Sequence, residues 1–290
     1  MRKIVITNEI KKEIESLLTL GLRPKEIATK VNIAYPTINS YLHNLGLRFR
    51  PDRGNQHYFN NIDSYAKAYI AGFIAADGAL VKTKSTISLT ITIRYEDKEV
   101  LEFIKKEIGN EHKLQEIRRP SSYDNSKTIH HIRYVISSKI IACDLNKLGI
   151  TQNKSLSMGN IITNIPYQYR DAFIIGYFDG DGSVTYRDFS HLNDRGYLCK
   201  DYSLYIQIRG TKSFLEGICE HLNITKSHIH QNDSIPCLSF ANKKDVVRFF
   251  NCYNNLPFYY KRKYDKFLKR INHPSFAKYR QVQTISSPAK

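Results

Sequence analysis

Two nearly continuous apolar runs of helical length stand out in the chain, and each is closed by Asp-Gly. The first extends from Tyr65 to Asp77 and the second from Tyr169 to Asp181. In both, small residues recur at every fourth position, which places them on one face of a helix. These small residues are Ala68, Gly72 and Ala76 in the first run and Ala172, Gly176 and Gly180 in the second. Because such a face lets two backbones approach closely, the runs are predicted to be helices that pack together.

A segment of strict apolar–polar alternation follows each run, as is typical of a strand with one buried face. These segments are Ser88–Arg94 and Ser203–Arg209. Helical spacing comes next, near 98–108 and 212–222. Further strands and a closing helix are predicted near 113–119, 130–137 and 139–148, and near 228–232, 236–240 and 243–254. The repeated order predicts an α+β fold of two pseudo-symmetric αββαββα halves, packed through the helices that end in Asp-Gly.

The first 50 residues show a different pattern, that of three short helices. Thr7 or Asn8 suits a helix start, Pro24 suits the first turn of a second helix, and Asn32 suits a tight turn. The third helix, from Pro36, is predicted to turn inward Ile38, Tyr41, Leu42 and Leu45. Helix, short turn, helix is the plan of DNA-binding helix-turn-helix domains, although a bundle used only for packing is the alternative. The candidate DNA contacts are Tyr35, Thr37, Asn39, Ser40 and His43.

Pro51 and Gly54 interrupt a basic, polar stretch of the chain, which indicates a linker. We expect this linker to be flexible without DNA. The predicted division is a helix-turn-helix domain at 1–50, a basic linker at 51–62, halves at 63–165 and 166–275, and a tail at 276–290.

The net charge of the chain indicates the class of partner that it binds. The chain has 44 Lys and Arg against 27 Asp and Glu, a net charge of +17. Such an excess favours a polyanion such as double-stranded DNA, although basic ribosomal or membrane-surface proteins share it. Five cysteines without a C-x-x-C pair argue against a zinc site or a disulfide framework. With neither a signal peptide nor an apolar run long enough for a bilayer, we expect a cytoplasmic or organellar protein without a membrane partner.

The two Asp-Gly pairs carry the candidate chemistry. Gly commonly follows a helix end, so Asp77 and Asp181 are expected at C-termini, where the helix dipole is already negative. Two carboxylates about 5 Å apart would repel by roughly 3 kcal/mol at an effective dielectric constant of about 20. A hard cation such as Mg²⁺ or Mn²⁺ would remove that repulsion. Asp77 and Asp181 are therefore predicted to hold a cation between them, and the alternative is that each merely ends an exposed helix.

The two motifs read IAGFIAADG at Ile70–Gly78 and IIGYFDGDG at Ile174–Gly182. They resemble the motif of the LAGLIDADG homing endonucleases, and two copies in one chain match the monomeric branch of that family. The resemblance extends roughly from Tyr58 to Arg270. Ala75 stands where the family has its earlier Asp, a position that is not the catalytic one in the family.

The resemblance implies a monomer that cuts both DNA strands and leaves short 3′ overhangs without a small-molecule cofactor. It also implies that Asp77 and Asp181 are catalytic metal ligands, each serving one strand. Breaks in an allele that lacks the coding element would drive the copying of that element, which is intron homing. The family also has a basic residue after each closing helix, here Lys154 and Lys263, with Lys261 as the substitute for Lys263. These lysines would polarise water or stabilise the leaving oxygen, unless they are solvated or contact phosphate.

DNA readout is expected from the polar faces of the strands, because an antiparallel ribbon fits the major groove. Gln207 suits adenine, and Arg94 and Arg209 suit guanine or phosphate. The halves differ at these positions, so the target is expected to be long and asymmetric. The stretch Tyr186–Tyr202 predicts a longer hairpin in the second half, or a disordered loop.

Two other functions remain open. An intron RNA maturase of this fold would also be basic and would keep the Asp residues as relics. A non-cleaving transcription regulator would use the helix-turn-helix for specificity. Either function would tolerate the loss of Asp77 or Asp181, so the presence of both favours the nuclease.

Overall fold

The computed structural model describes residues 6–20, 22–47, 54–83, 86–120, 124, 126, 128–192, 196–232, 235–272 and 276. The chain divides into two compact units, Met1–Asp52 and Arg53–Lys290. Within the described ranges, no helix has the length and apolar character needed to cross a membrane.

The first unit consists of three short helices: α1 (Asn8–Thr19), α2 (Pro24–Lys30) and α3 (Tyr35–Asn44). Thr7 caps α1, since its hydroxyl accepts a hydrogen bond from the backbone N–H of Ile10. Asn32 takes a φ of 51° in the turn between α2 and α3, the left-handed geometry that Asn tolerates. The helices and the turn thus lie where the sequence pattern predicts them.

A small core of its own holds the first unit together. Its buried residues are Ile14, Leu17, Ile27, Ala28, Ile33, Ile38 and Leu42. Of the residues predicted to turn inward from the third helix, Ile38 and Leu42 are buried and Tyr41 packs partly buried against them. The prediction for Leu45 is wrong: it follows the last residue of α3, beyond the helical periodicity, and is 50% exposed.

The second unit repeats one order of elements. Its first half contains α4 (Tyr65–Asp77), β1 (Gly78–Lys82), β2 (Ile87–Arg94), α5 (Lys98–Ile108), β3 (Gln115–Pro120), β4 (Thr128–Ser137), α6 (Lys139–Lys147) and α7 (Lys154–Ser157). Its second half contains α8 (Arg170–Asp181), β5 (Gly182–Leu192), β6 (Leu198–Arg209), α9 (Lys212–Leu222), β7 (Ile229–Asn232), β8 (Ile235–Phe240), α10 (Lys243–Asn251) and α11 (Lys261–Ile271). The predicted αββαββα order is confirmed in both halves, with α7 and α11 added after the closing helices.

Each half has a four-stranded antiparallel sheet, ordered β1-β2-β4-β3 and β5-β6-β8-β7. On β2 the alternation sends Leu89, Ile91 and Ile93 into the core, which α5 and α6 cover, and leaves the polar residues on the other face. Buried residues of both halves form one continuous hydrophobic core. The hairpin β5–β6 has strands of 11 and 12 residues, so the prediction of a longer hairpin in the second half is confirmed.

The helices α4 and α8 pack backbone to backbone at the centre of the second unit. A Cβ placed on Gly72 would lie 2.0 Å from the carbonyl oxygen of Phe173, and one on Gly176 would lie 2.0 Å from that of Tyr69. No side chain larger than hydrogen fits at either position. The predicted faces of small residues are therefore the surfaces through which the two halves join.

Two predicted boundaries differ from the structure. In the predicted linker, Asn55 donates a backbone hydrogen bond to the Ile108 oxygen at 2.7 Å, and Tyr58 and Phe59 are buried in the core. Residues 54–62 therefore belong to the first half, whereas 51–53 lie outside the described residues. Phe276, the predicted start of the tail, is also buried in the core, and the Arg270 guanidinium lies 5.6 Å from the centre of its ring.

Candidate active site

Asp77 and Asp181 are the last residues of α4 and α8, as the sequence predicts. Each chain segment continues directly into a strand, and Gly78 and Gly182 have ordinary extended backbones with negative φ. Glycine is needed there for space, since a Cβ would lie 2.7 Å from the Ile74 oxygen or 2.6 Å from the Phe178 oxygen. Close packing at the helix ends thus fixes the positions of the Asp77 and Asp181 backbones.

The negative charge of Asp181 acts on the Asp77 carboxylate. Asp77 is half-buried, and burial followed by the negative charge of Asp181 raises its pKa to about 6. Loss of hydration also raises the pKa of Asp181, and the charges of Lys154, Lys263 and Arg209 oppose that rise. A Cβ on Gly180 would lie 3.3 Å from the carboxyl carbon of Asp77, so the last turn of α8 touches the Asp of α4. The ends of α4 and α8 therefore lie close together, with Asp181 near enough to act on Asp77.

Both predicted site lysines are buried beneath the ends of the motif helices. Lys154 donates from Nζ to the carbonyl oxygens of Ala76, at 3.0 Å, and Gly78. Lys263 donates to three carbonyls, those of Phe178 at 2.6 Å, Asp179 at 2.8 Å and Gly182 at 2.6 Å. Carbonyls at a helix end lack partners within the helix, and the ammonium groups satisfy them and offset the negative end of the dipole.

Burial changes the acidity of these lysines. It lowers the pKa of Lys263 to about 8, and it lowers the pKa of Lys154 as well, although nearby carboxylates oppose the effect in both cases. The two residues, Lys154 and Lys263, are only 8% and 5% exposed, so neither is a solvated surface lysine. Lys261, the substitute considered for Lys263, is exposed at the start of α11.

Asp179 is a further buried acid and is not among the predicted site residues. Its Oδ2 accepts hydrogen bonds from the Tyr69 hydroxyl and from the Tyr260 backbone N–H, both at 2.8 Å. Burial raises its pKa to about 6, against the opposing charge of Lys263. The available signal was an acid within an apolar helical run, at the position where the first motif has Ala75.

The predicted DNA contacts of the second unit lie on the outward faces of β2 and β6. Arg94 and Arg209 are exposed, and Arg209 is close enough to lower the pKa of Asp181. Gln207 is half-buried and its amide lies 3.8 Å from the sulfur of Cys237. The guanidinium of Arg187 lies 3.5 Å from the centre of the Tyr205 ring on the same face. This face combines polar, aromatic and cationic groups.

The candidate DNA contacts of the first unit all lie on α3. Tyr35 is 47% exposed, Ser40 and His43 are also exposed, and Thr37 and Asn39 are half-buried. Tyr35, Ser40 and His43 thus lie on the outward surface of the helix, whose buried side carries Ile38 and Leu42.

No family model matches the chain. Its fold is similar to that of the homing endonuclease I-WcaI bound to its DNA recognition sequence, with 16% identity, a TM-score of 0.50, and coverage of 73% of this chain and 91% of that one. A second similar structure is the I-LtrWI LAGLIDADG homing endonuclease bound to target DNA (15% identity, TM-score 0.43, coverage 79% and 99%). A third is I-SmaMI bound to an uncleaved DNA target in the presence of calcium ions (15%, 0.42, 75% and 97%).

The likeness to I-WcaI, which covers 73% of this chain, shows that the two proteins share a fold. It agrees with the α+β fold of two similar halves that the repeated order of elements predicts.

Proposed function

We propose that this protein is a site-specific DNA endonuclease that makes a metal-dependent double-strand break in a long asymmetric target. The observation that carries the proposal is the convergence of Asp77 and Asp181 at the paired ends of α4 and α8. Both carboxylates come from one chain, so a monomer contains the whole site. A net charge of +17 and the polar, cationic strand faces support DNA as the substrate.

The carboxylate pair fits a hard divalent cation, Mg²⁺ or Mn²⁺. The pKa of Asp77 is raised in part by Asp181, which is the repulsion that a bound cation removes. Among the described residues no group of three or more His, Cys, Asp and Glu could hold a metal. Asp77 and Asp181 would therefore share the ion with water and phosphate oxygens. A bound metal supplies a water of lowered pKa and stabilises charge on the phosphate.

Lys154 and Lys263 lie next to the two carboxylates and support the proposed chemistry. Lys154 and Lys263 hold the last carbonyls of the two motif helices and bring positive charge to the Asp pair. Their charges lower the pKa values of Asp77 and Asp181, so the carboxylates are more often ionised at neutral pH. A buried ammonium near the scissile phosphates would also stabilise the leaving oxygen.

Incubation of a randomised duplex DNA library with the protein tests the proposal. In Mg²⁺ we expect one long asymmetric site to be recovered, cut on both strands, and no cutting in EDTA. Enrichment of bound sequences without cuts in either condition would instead indicate a transcription regulator. Neither cuts nor enrichment, together with binding to a structured intron RNA, would indicate a maturase.

We also propose that the first unit adds affinity for the DNA site. It is compact on its own, and α3 presents Tyr35, Ser40 and His43 outward. A chain that begins at Arg53 is expected to keep its maximal cleavage rate but to bind the recovered site about tenfold or more weakly, a loss of roughly 1.4 kcal/mol. The matched variant of the full chain, His43→Ala with Ser40→Ala, should move the dissociation constant in the same direction. An unchanged dissociation constant for the shortened chain would rule this role out.

A further inference from the structure

The segment that carries Lys263 is tied to the other half of the second unit at two points. The first is Asp179, which binds the backbone N–H of Tyr260, just before α11, and the hydroxyl of Tyr69 on α4. Tyr69 belongs to the first half, and Asp179 and Tyr260 belong to the second. Asp179 is 1% exposed, so both hydrogen bonds lie in a dry environment, where they are strong.

The second tie is an ion pair between Arg262 and Asp97. The guanidinium Nε and one terminal nitrogen each donate to a different carboxylate oxygen of Asp97, both at 2.8 Å. This parallel, bidentate geometry is the strong form of the Arg–carboxylate pair. Asp97 precedes α5 in the first half, so Arg262 reaches across the interface only two residues after Tyr260. The start of α11 is therefore held to the first half through both of these residues.

The corresponding segment of the first half, which carries Lys154, lacks these two contacts. In the aligned motifs, Phe173 stands in place of Tyr69 and Ala75 in place of Asp179, so neither hydrogen bond can form. Asn153, before Lys154, takes the place of Arg262, and Thr211, the cap of α9, takes the place of Asp97. There the described residues include a hydrogen bond between the halves, from the Thr211 hydroxyl to the Met158 oxygen. The segment of Lys154 is thus joined to the other half by a hydrogen bond between neutral groups, whereas the segment of Lys263 is joined by a buried carboxylate and an ion pair.

We infer that Asp179 is a positioning residue that fixes Lys263 by holding the Tyr260 amide and anchoring it, through Tyr69, to the first half. The lysine follows Tyr260 by one turn, and its ammonium must reach three carbonyls at the end of α8. Loss of the acceptor at Asp179 frees the start of α11 and displaces the ammonium. Lys154, which has Ala75 in place of this acid, does not depend on such a contact. As far as it concerns cleavage, the inference rests on the proposed function.

Amide hydrogen exchange in the DNA-free protein tests the positioning role directly. We expect Asp179→Ala to speed exchange at Tyr260 and the first turn of α11 by about tenfold or more, with little change elsewhere. Asp179→Asn should restore protection, because its amide oxygen can accept the same hydrogen bonds. Thr211→Val, the matched change on the opposite side, should leave Tyr260 and α11 unaffected. Tyr69→Phe, which copies Phe173, is a milder variant and should show a smaller effect in the same place.

Unchanged exchange at Tyr260 in Asp179→Ala and Tyr69→Phe would overturn the inference, as would a uniform increase over the whole second unit. Cleavage of the recovered site, labelled on each strand, gives the second measurement. The strand that Lys263→Ala slows should also be slowed about tenfold by Asp179→Ala and rescued by Asp179→Asn, while the other strand is cut normally. Equal slowing of both strands would contradict the inference. If the wild type cuts nothing, the proposed function fails, and the exchange result still decides the role of Asp179.

Discussion

Asp77→Asn is expected to abolish cleavage and, at the same time, to stabilise the metal-free protein. The loss of activity follows from removing one of two converging carboxylates, and we expect a reduction of about a thousandfold or more. Asp181→Asn should have the same effect on cleavage. Asp63→Asn, at an exposed position before α4, is the matched control and should cut normally.

The gain in stability follows from the direction of the pKa shift. The pKa of Asp77 rises from 3.8 in the unfolded chain to about 6 in the fold, so the fold disfavours its ionised form. The free energy of unfolding therefore falls as the pH rises from about 4 to about 6, and the loss is complete above that range. At about 1.4 kcal/mol per pKa unit the ceiling is roughly 3 kcal/mol, and partial hydration of the carboxylate reduces it to about 1–2 kcal/mol.

Urea unfolding in EDTA at pH 8 and pH 4 measures this difference. The Asn variant should be more stable than the wild type at pH 8, and the gap should narrow at pH 4, where Asp77 is protonated in the fold and about half protonated in the unfolded chain. Mg²⁺ should stabilise the wild type at pH 8 but not the variant. A variant that loses cleavage and is also less stable at pH 8 would show that Asp77 has a structural role instead.

Gly72→Ala and Gly176→Ala are expected to produce the largest losses of stability. In each case the new methyl group would lie 2.0 Å from a backbone oxygen of the facing helix, which no rotation of a side chain can relieve. The helices α4 and α8 must separate, and we expect each variant to lose about 3 kcal/mol or more. In a domain of this size that corresponds to a fall in Tm of roughly 10 °C.

The matched control for these variants is Gly159→Ala. A Cβ at Gly159 meets nothing within 4 Å, and its φ is not in the left-handed range. We expect a change within about 0.5 kcal/mol there, as at other open surface positions. Thermal unfolding of the three variants side by side is the measurement. If Gly72→Ala unfolds at the temperature of Gly159→Ala, the helices do not pack as closely as the structure shows.

The sequence predicts the features that depend on local periodicity. Alternation in β2 and β6 and the small residues at every fourth position of α4 and α8 follow directly from which face is buried. The positions of Asp77 and Asp181 follow from the small-residue faces, because each Asp ends one of the two helices that pack through those faces.

Other features depend on contacts between distant residues and leave no local signal. The hydrogen bonds of Lys263 to the end of α8 require the loop after α10 to bring the lysine back beneath the motif helix. The burial of Tyr58 and Phe59 was hidden by the polar residues around them. The role of Asp179 depends on a hydrogen bond from Tyr69, which belongs to the other motif. Comparing each motif separately with the family pattern does not reveal that these two residues are in contact.

In this chain each half supplies only one partner of the hydrogen bond between Tyr69 and Asp179. A homodimer of the first half would place Tyr69 opposite Ala75 and leave two hydroxyls without their acceptor. A homodimer of the second half would place Asp179 opposite Phe173 and bury two carboxylates without a hydroxyl donor, which is strongly unfavourable in a dry interface. The contact therefore needs one copy of each half, and the two halves are not interchangeable at their own interface.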